Sequence, residues 1–514
     1  MVIDCLQLTS AVLMLTLRIY MKRILEGSQK SLLTVSLMAA FLTLSACGSD
    51  DDDIGSGVGD NVVAPVDGDT DGDGVADGDT DGDTGGDGDT GADGDADAGG
   101  DGVAGTPAGG VFVMSNILDG NTIVSYARAD DGTLSLVGEF STGGIGGDFD
   151  GGEGLDPLIS AYAIINSPDN EYLMAVNAGS GTVSVMQINA DMSLELVDTE
   201  STSGVGPNSI AFNDGLVYVS NIDADGNFDG EPDQEGSITG FTFADGDLTP
   251  IEASTRLLPN RPAAIRFSPD GNFVLTTSIN AGSNALASGN NDELIAFSIG
   301  EDGVPSGSPV GSATSTQVGN AEGRNLASAI GFEVVDRSNG TFAIVTEARE
   351  FTAAGDPPNF PGLQTGSVSV FQLNADGSLA DSQLDLLAGQ SADVGQRTAC
   401  WIVMSPDGEF FWVSNAVDAS ISTYRFTDDS GNVELVEELA AIGTQPTSPD
   451  PAVAFSTTDG FIDLDISDDG AFLYQLYGLA GVVGVYAVEG GALTLVEEVS
   501  GDLPPQDTQG IVSF

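Results

Sequence analysis

Trp401-Ile402-Val403-Met404, then Ser405-Pro406-Asp407-Gly408, then Phe410-Phe411-Trp412-Val413-Ser414-Asn415: an apolar run, a tight-turn tetrapeptide and a second apolar run define the unit from which the chain is built. Pro-Asp and Asp-Gly between two short apolar runs are hairpin chemistry, because proline presets φ and glycine accepts the left-handed region at no steric cost. The phrase recurs along the chain. Opening runs stand at Ala161 to Ile165, Ser209 to Phe212, Ala264 to Phe267, Ile330 to Val334, Trp401 to Met404 and Ile462 to Ile466. Second runs follow at Tyr172 to Val176, Leu216 to Ser220, Phe273 to Thr277, Phe342 to Thr346, Phe410 to Ser414 and Phe472 to Leu476. Third runs alternate apolar and polar residues, as in Thr182-Val183-Ser184-Val185-Met186, Ser367 to Phe371 and Val482 to Tyr486, and Leu-Glu-Leu-Val-type fourth runs close the unit (Leu194 to Val197, Leu435 to Glu438, Leu493 to Glu497). Four short strands per repeat, with period two and no helical period, predict one blade each.

The ends supply one more blade. Val111 to Ser115 and Thr122 to Tyr126 read as second and third strands with nothing before them, while the chain finishes on an orphan opening strand, Gly510-Ile511-Val512-Ser513-Phe514. Pairing the two removes the exposed edges that an open sheet would leave. The expected fold is therefore all-β: a seven-bladed β-propeller over 111–514, closed by pairing of its N- and C-terminal strands. The units are longer than four strands require, so the excess falls in loops, notably Asp223 to Gly236, Ala281 to Asn291 and Phe351 to Gly366, where a propeller is expected to bind.

Composition agrees. Of 514 residues, 41% are hydrophobic and 18% charged, with 70 glycines, which suits short strands and tight turns. The formal charge of −66 comes from 79 acidic against 13 basic residues, and both lysines, Lys22 and Lys30, precede Cys47. Beyond that cysteine there is no lysine and no histidine, only arginines from Arg128 to Arg425. Nucleic acid is excluded as an expected partner, since phosphate backbones are held by lysine and arginine. Cys400 sits in an apolar run with no second thiol available in the same mature chain, and reads as core.

Ahead of the propeller, Met21-Lys22-Arg23 and the apolar run Ser31 to Ala46 form the n- and h-regions of a signal peptide over 1–46, with Met21 as the expected true start. Its end, Leu44-Ser45-Ala46-Cys47, resembles the lipobox of bacterial lipoproteins. That resemblance implies cleavage before Cys47, acylation of its thiol and anchoring by acyl chains at about 0.8 kcal/mol per buried methylene. Gly48 in place of aspartate points to the outer membrane, facing the periplasm or the surface. Residues 47–110 are aspartate- and glycine-rich, with too little apolar surface to offset the entropy of ordering, and read as a disordered tether. A sharper alternative is calcium. Asp69, Asp71, Asp73 and Asp77 alternate around a glycine turn as hard-cation loops do, and resemble thrombospondin type 3 and dockerin repeats, though no hydrophobic frame flanks them.

Val217-Tyr218-Val219-Ser220-Asn221, Trp412-Val413-Ser414-Asn415 and Gly181-Thr182-Val183-Ser184-Val185 resemble the seven-bladed lactonase family, which includes 6-phosphogluconolactonases and carboxymuconate-cyclising enzymes, and also YVTN-type surface propellers. The resemblance rests on blade-packing residues, so it implies fold more than activity. Family lactonases place histidine just ahead of an opening strand. Here the corresponding positions are Asn208, Ala264 and Trp401, so that chemistry does not carry over. What remains for catalysis is a carboxylate base with arginines holding an anionic substrate, and the candidates are Glu322, Arg324, Glu347, Arg349 and Arg397. The leading expectation is a lipid-anchored binding or scaffolding module whose loops meet a protein, glycan or small molecule. The alternative is a lactone hydrolase using carboxylate and arginine in place of histidine, and it requires acid and arginine groups to converge in the central channel.

Overall fold

The computed structural model describes residues 106–149, 156–223, 235–279, 294–314, 327–349, 366–387, 396–444 and 458–514. The signal peptide, Cys47, the tether up to residue 105 with Asp69, Asp71, Asp73 and Asp77, Glu322, Arg324 and most of the three long loops lie outside these residues. Every regular element among the described residues is a strand.

Three strands form blade 1: β1 (Gly109–Met114), β2 (Thr122–Arg128) and β3 (Leu134–Ser141). Blade 2 is β4 (Ile164–Asn166), β5 (Tyr172–Asn177), β6 (Thr182–Ile188) and β7 (Leu194–Ser201). Blade 3 is β8 (Val205–Asn213), β9 (Leu216–Asp223), β10 (Ser237–Ala244) and β11 (Asp247–Pro250), with β12 (Arg256–Leu257) also on β10. Blade 4 is β13 (Pro262–Phe267), β14 (Phe273–Ser278), β15 (Leu294–Ser298) and β16 (Gly311–Ala313). Blade 5 is β17 (Ala327–Arg337), β18 (Gly340–Arg349), β19 (Ser367–Leu373) and β20 (Leu379–Leu387). Blade 6 is β21 (Ala399–Met404), β22 (Phe410–Asn415), β23 (Ser420–Phe426) and β24 (Val433–Ile442). Blade 7 is β25 (Phe461–Ile466), β26 (Phe472–Tyr477), β27 (Val482–Glu489) and β28 (Ala492–Ser500). The last strand, β29 (Ile511–Ser513), pairs antiparallel with β1 (Val111 with Ser513, Val113 with Ile511) and completes blade 1 as expected. Opening strands then touch in an unbroken ring: β29, β4, β8, β13, β17, β21, β25 and back to β29. They line the central channel.

The turn tetrapeptides work through their side chains. Ser268 Oγ donates to Asp270 Oδ1 at 2.6 Å and accepts from the Phe273 amide at 3.0 Å, while Gly271 takes φ +71°. Ser167, Ser405 and Ser467 repeat the bond to Asp169, Asp407 and Asp469. Between blades the core is apolar and aromatic, and two of its largest side chains also stitch neighbours together. Tyr218 OH donates to the Gly303 carbonyl of blade 4 at 2.5 Å, and Trp412 Nε1 to the Gly491 carbonyl of blade 7 at 3.1 Å. Arg128 clasps the closure, its Nε donating to the Phe514 carbonyl at 3.3 Å and its Nη1 pairing with Asp469 at 3.3 Å.

One opening strand is shorter than its sequence suggests. The run Ala161 to Ile165 becomes β4 only at Ile164, because Ile159 and Tyr162 adopt φ of +49° and +64° and carry the chain across the channel. Such a conformation costs on the order of 1–3 kcal/mol in a non-glycine residue and persists only where surrounding contacts hold it.

Candidate functional site

Register places the site. On their second strands, Ile265, Phe332 and Leu464 oppose Thr276, Val345 and Gln475, so Arg266, Glu333 and Asp465 occupy one level of the ring. Blades 2, 3 and 6 put Ile165, Ala211 and Val403 at that level. Three of these strands thus turn a charged side chain toward the channel where the others turn aliphatic ones. Bulges at Pro262/Ile265, Ala329/Phe332, Ala399/Trp401 and Phe461/Leu464 reset the alternation above it, and Asp463, two residues from Asp465, shares its side of β25.

Arg266 Nη2 pairs with Glu333 Oε1 at 2.7 Å, and its guanidinium carbon lies 3.6 Å from the Tyr162 ring centroid. Tyr162 OH donates to the Phe332 carbonyl at 2.9 Å and lies 3.3 Å from Glu333 Oε1. Burial, then the Glu333 carboxylate, pushes the phenol well above its ordinary range, so it stays a donor. For Arg266, burial opposes the charge and Glu333 outweighs it, holding the guanidinium cationic. Asp465 accepts from the Ser513 amide and hydroxyl, and its burial pushes it up to about 7. Asp463 is pushed well above the usual carboxylate range by burial, and further by Asp156 and Asp465.

At the C-terminal ends of the opening strands Arg266 and Glu333 meet a cavity of about 280 Å³, lined also by Asn213, Ser268 and Phe212 among others. Although deep in the ring, Arg266 and Glu333 leave 31% and 17% of their side chains open there. Glu333 Oε1 takes both the guanidinium and the phenol contacts, so Oε2 lies outside them. The arrangement offers a cation and a carboxylate oxygen at the wall of a pocket of small-molecule size.

The sequence-predicted residues fall elsewhere. Glu347, two residues before the end of β18, pairs with the start of the third strand in the place that Asn177, Asn221 and Asn415 hold in their blades. Fully buried, it accepts a hydrogen bond from Ser367 of the next strand, a blade-internal role. Arg397 lies before β21, at the N-terminal ends of the opening strands, and pairs with Asp418 at 2.7 Å. Arg349 closes β18 opposite Ala327. Asn208 and Trp401, at the expected histidine positions, hold the ring together: Asn208 Nδ2 donates to the Pro262 carbonyl of the next blade at 2.9 Å, and Trp401 Nε1 to the Ser160 carbonyl of the segment ahead of β4 at 2.7 Å. Arg266, Glu333, Asp463 and Asp465 were not singled out, yet the signal was visible. A charge at the middle of an apolar opening run has no reason to be there unless the channel wants it.

The family model described as "Lactonase, 7-bladed beta-propeller" matches residues 364–448. The chain folds as a seven-bladed propeller similar to those of the lactonase family. It is similar to the 6-phosphogluconolactonase of Cronobacter sakazakii, with 25% identity over 264 residues, covering 51% of this chain and 64% of that protein. The match thus spans slightly less than two thirds of that relative. For the 6-phosphogluconolactonase of Klebsiella pneumoniae the identity is 25% over 321 residues, covering 62% and 78%. Among solved structures, a candidate 6-phosphogluconolactonase from Bacteroides uniformis superposes with a TM-score of 0.51 at 18% identity, covering 79% of this chain and 99% of that one, a likeness of fold.

Proposed function

We propose that this lactonase-type propeller hydrolyses a small anionic lactone in the cell envelope, with Arg266 and Glu333 as its working pair. The observation that carries the reading is the ion pair at the cavity wall: acid and arginine groups converge in the channel, as the enzymatic alternative requires. Similarity to 6-phosphogluconolactonases supplies the substrate class.

In this scheme Glu333 Oε2 takes a proton from water as its oxygen bonds the lactone carbonyl carbon. Arg266 faces the carbonyl oxygen as it becomes an oxyanion, where a fixed donor in a water-poor site is worth most. Collapse breaks the bond from carbonyl carbon to ring oxygen, and Glu333 returns the proton to the departing alkoxide. The product is an open hydroxy acid. Tyr162 holds Glu333 against Arg266 throughout. Acylated Cys47 and the acidic tether would tie this activity to the outer membrane.

The binding-module reading is favoured by one observation: Glu333 already matches the guanidinium, which suits a pocket that holds a ligand without turning it over. Hydrolysis of 6-phosphogluconolactone and a panel of sugar lactones by the mature chain separates the two. Turnover above the spontaneous rate, lost by a factor of about 100 in Glu333→Gln and Arg266→Ala, is expected. Background rates in the unaltered protein would overturn the enzymatic reading and leave ligand binding.

A further inference from the structure

Three buried side-chain oxygens, on Asp463, Gln509 and Ser160, have no hydrogen-bond partner. Asp463 is 4% exposed, and its Oδ2 has no hydrogen-bond partner. Gln509 and Ser160 are fully buried, and Gln509 Oε1 and Ser160 Oγ are likewise unpartnered. A buried acceptor left without a donor costs about 1–3 kcal/mol, and native folds seldom keep several together without a water or an ion.

The atoms belong to one knot. The Ser160 carbonyl accepts from both Trp401 Nε1, at 2.7 Å, and Gln509 Nε2, at 3.2 Å, while the Ser160 amide donates to Asp156 Oδ1 at 3.2 Å. Asp156 is in turn the charged neighbour that bears most strongly on Asp463. Asp465 raises Asp463 as well, the guanidinium that offsets them, Arg266, is already engaged by Glu333, and Asp463 Oδ2 is left without a donor. Gln509 cannot cure this by turning its amide, since Nε2 is committed to the Ser160 carbonyl.

We infer that Asp463, Asp156, Gln509 and Ser160 bind a hard divalent cation of the calcium class inside the channel. The donor set is all oxygen, with two carboxylates, an amide carbonyl and a hydroxyl, and water completes the about six to eight ligands such an ion takes. No group of three or more His, Cys, Asp or Glu in metal-binding geometry exists among the described residues, so neutral oxygens make up the number. None of the four lines the Arg266–Glu333 cavity, and the inference does not depend on hydrolysis.

Trp401 provides the readout, because its indole shares the Ser160 carbonyl with the proposed ligands. Terbium added to the metal-free mature chain should emit on tryptophan excitation and be displaced by calcium. Residues 49–110 contain no tryptophan, so aspartates of the tether offer no such donor of their own. Asp463→Asn should weaken apparent affinity about tenfold or more, Trp401→Phe should abolish most emission while calcium still raises the unfolding temperature, and Asp71→Asn/Asp73→Asn should leave both signals unchanged. Gln509→Leu provides a second ligand variant, and melting curves establish that each variant folds. Absent emission, emission indifferent to Asp463 and Gln509, or emission that follows the tether variant would overturn the inference and leave Asp463 as a buried carboxyl that keeps its proton.

Discussion

Replacing Arg266 with methionine is expected to cost the propeller about 3 kcal/mol, and adding Glu333→Leu to return most of it. The ion pair is short at 2.7 Å, with both side chains mostly out of solvent. Breaking such a pair from one side costs roughly 3–5 kcal/mol, because the abandoned charge stays buried. Contact of the guanidinium with the Tyr162 ring adds on the order of 1–2 kcal/mol. Opening of both side chains on the cavity pulls the sum toward the lower end. The double variant removes the stranded carboxylate, so the coupling energy should be at least about 1.5 kcal/mol. Urea unfolding can be followed through Trp401 and Trp412, the two tryptophans, both buried in the ring. Single-variant losses that add to within about 0.5 kcal/mol would refute the claim that this pair is a coupled element of the channel.

Glu347→Asn, which restores the residue used by three other blades, is expected to leave unfolding within about 1 kcal/mol of the parent, whereas Glu347→Leu strands the Ser367 hydroxyl and costs about 1–3 kcal/mol; equal effects of the two in urea titrations would argue against a blade-internal role. Acid should unfold the protein through its turns. The Ser405 hydroxyl holds Asp407 below its ordinary value, and in Asp270 and Asp469 the upward push of burial is overcome by the Ser268 and Ser467 hydroxyls. A depressed folded value means stability that is present above the usual carboxylate range and lost as pH falls through it, below about pH 4. The triple variant Ser268→Ala/Ser405→Ala/Ser467→Ala should flatten that acid limb of the unfolding midpoint, and an unchanged limb would exclude these turns as its source.

Blade number, strand order and ring closure were legible in the chain because each is written locally. Period-two runs, Ser-Pro-Asp-Gly turns and the orphan strands at Val111 and Ile511 need only neighbours in sequence to be read, and β29 pairs with β1 as those ends imply. Cys400 is likewise buried, as its apolar run suggests. Glu347 and Arg397 misled for the converse reason: a charge near a strand end looks functional until its neighbour across the turn is known. The channel is a different kind of fact. Arg266 and Glu333 lie 67 residues apart, Tyr162 and the Phe332 carbonyl 170, and Trp401 and the Ser160 carbonyl 241. Residue type and spacing carry no information about which side chains meet across such distances. Only closure of the ring sets the level of each opening strand, and with it which charges face one another across the channel.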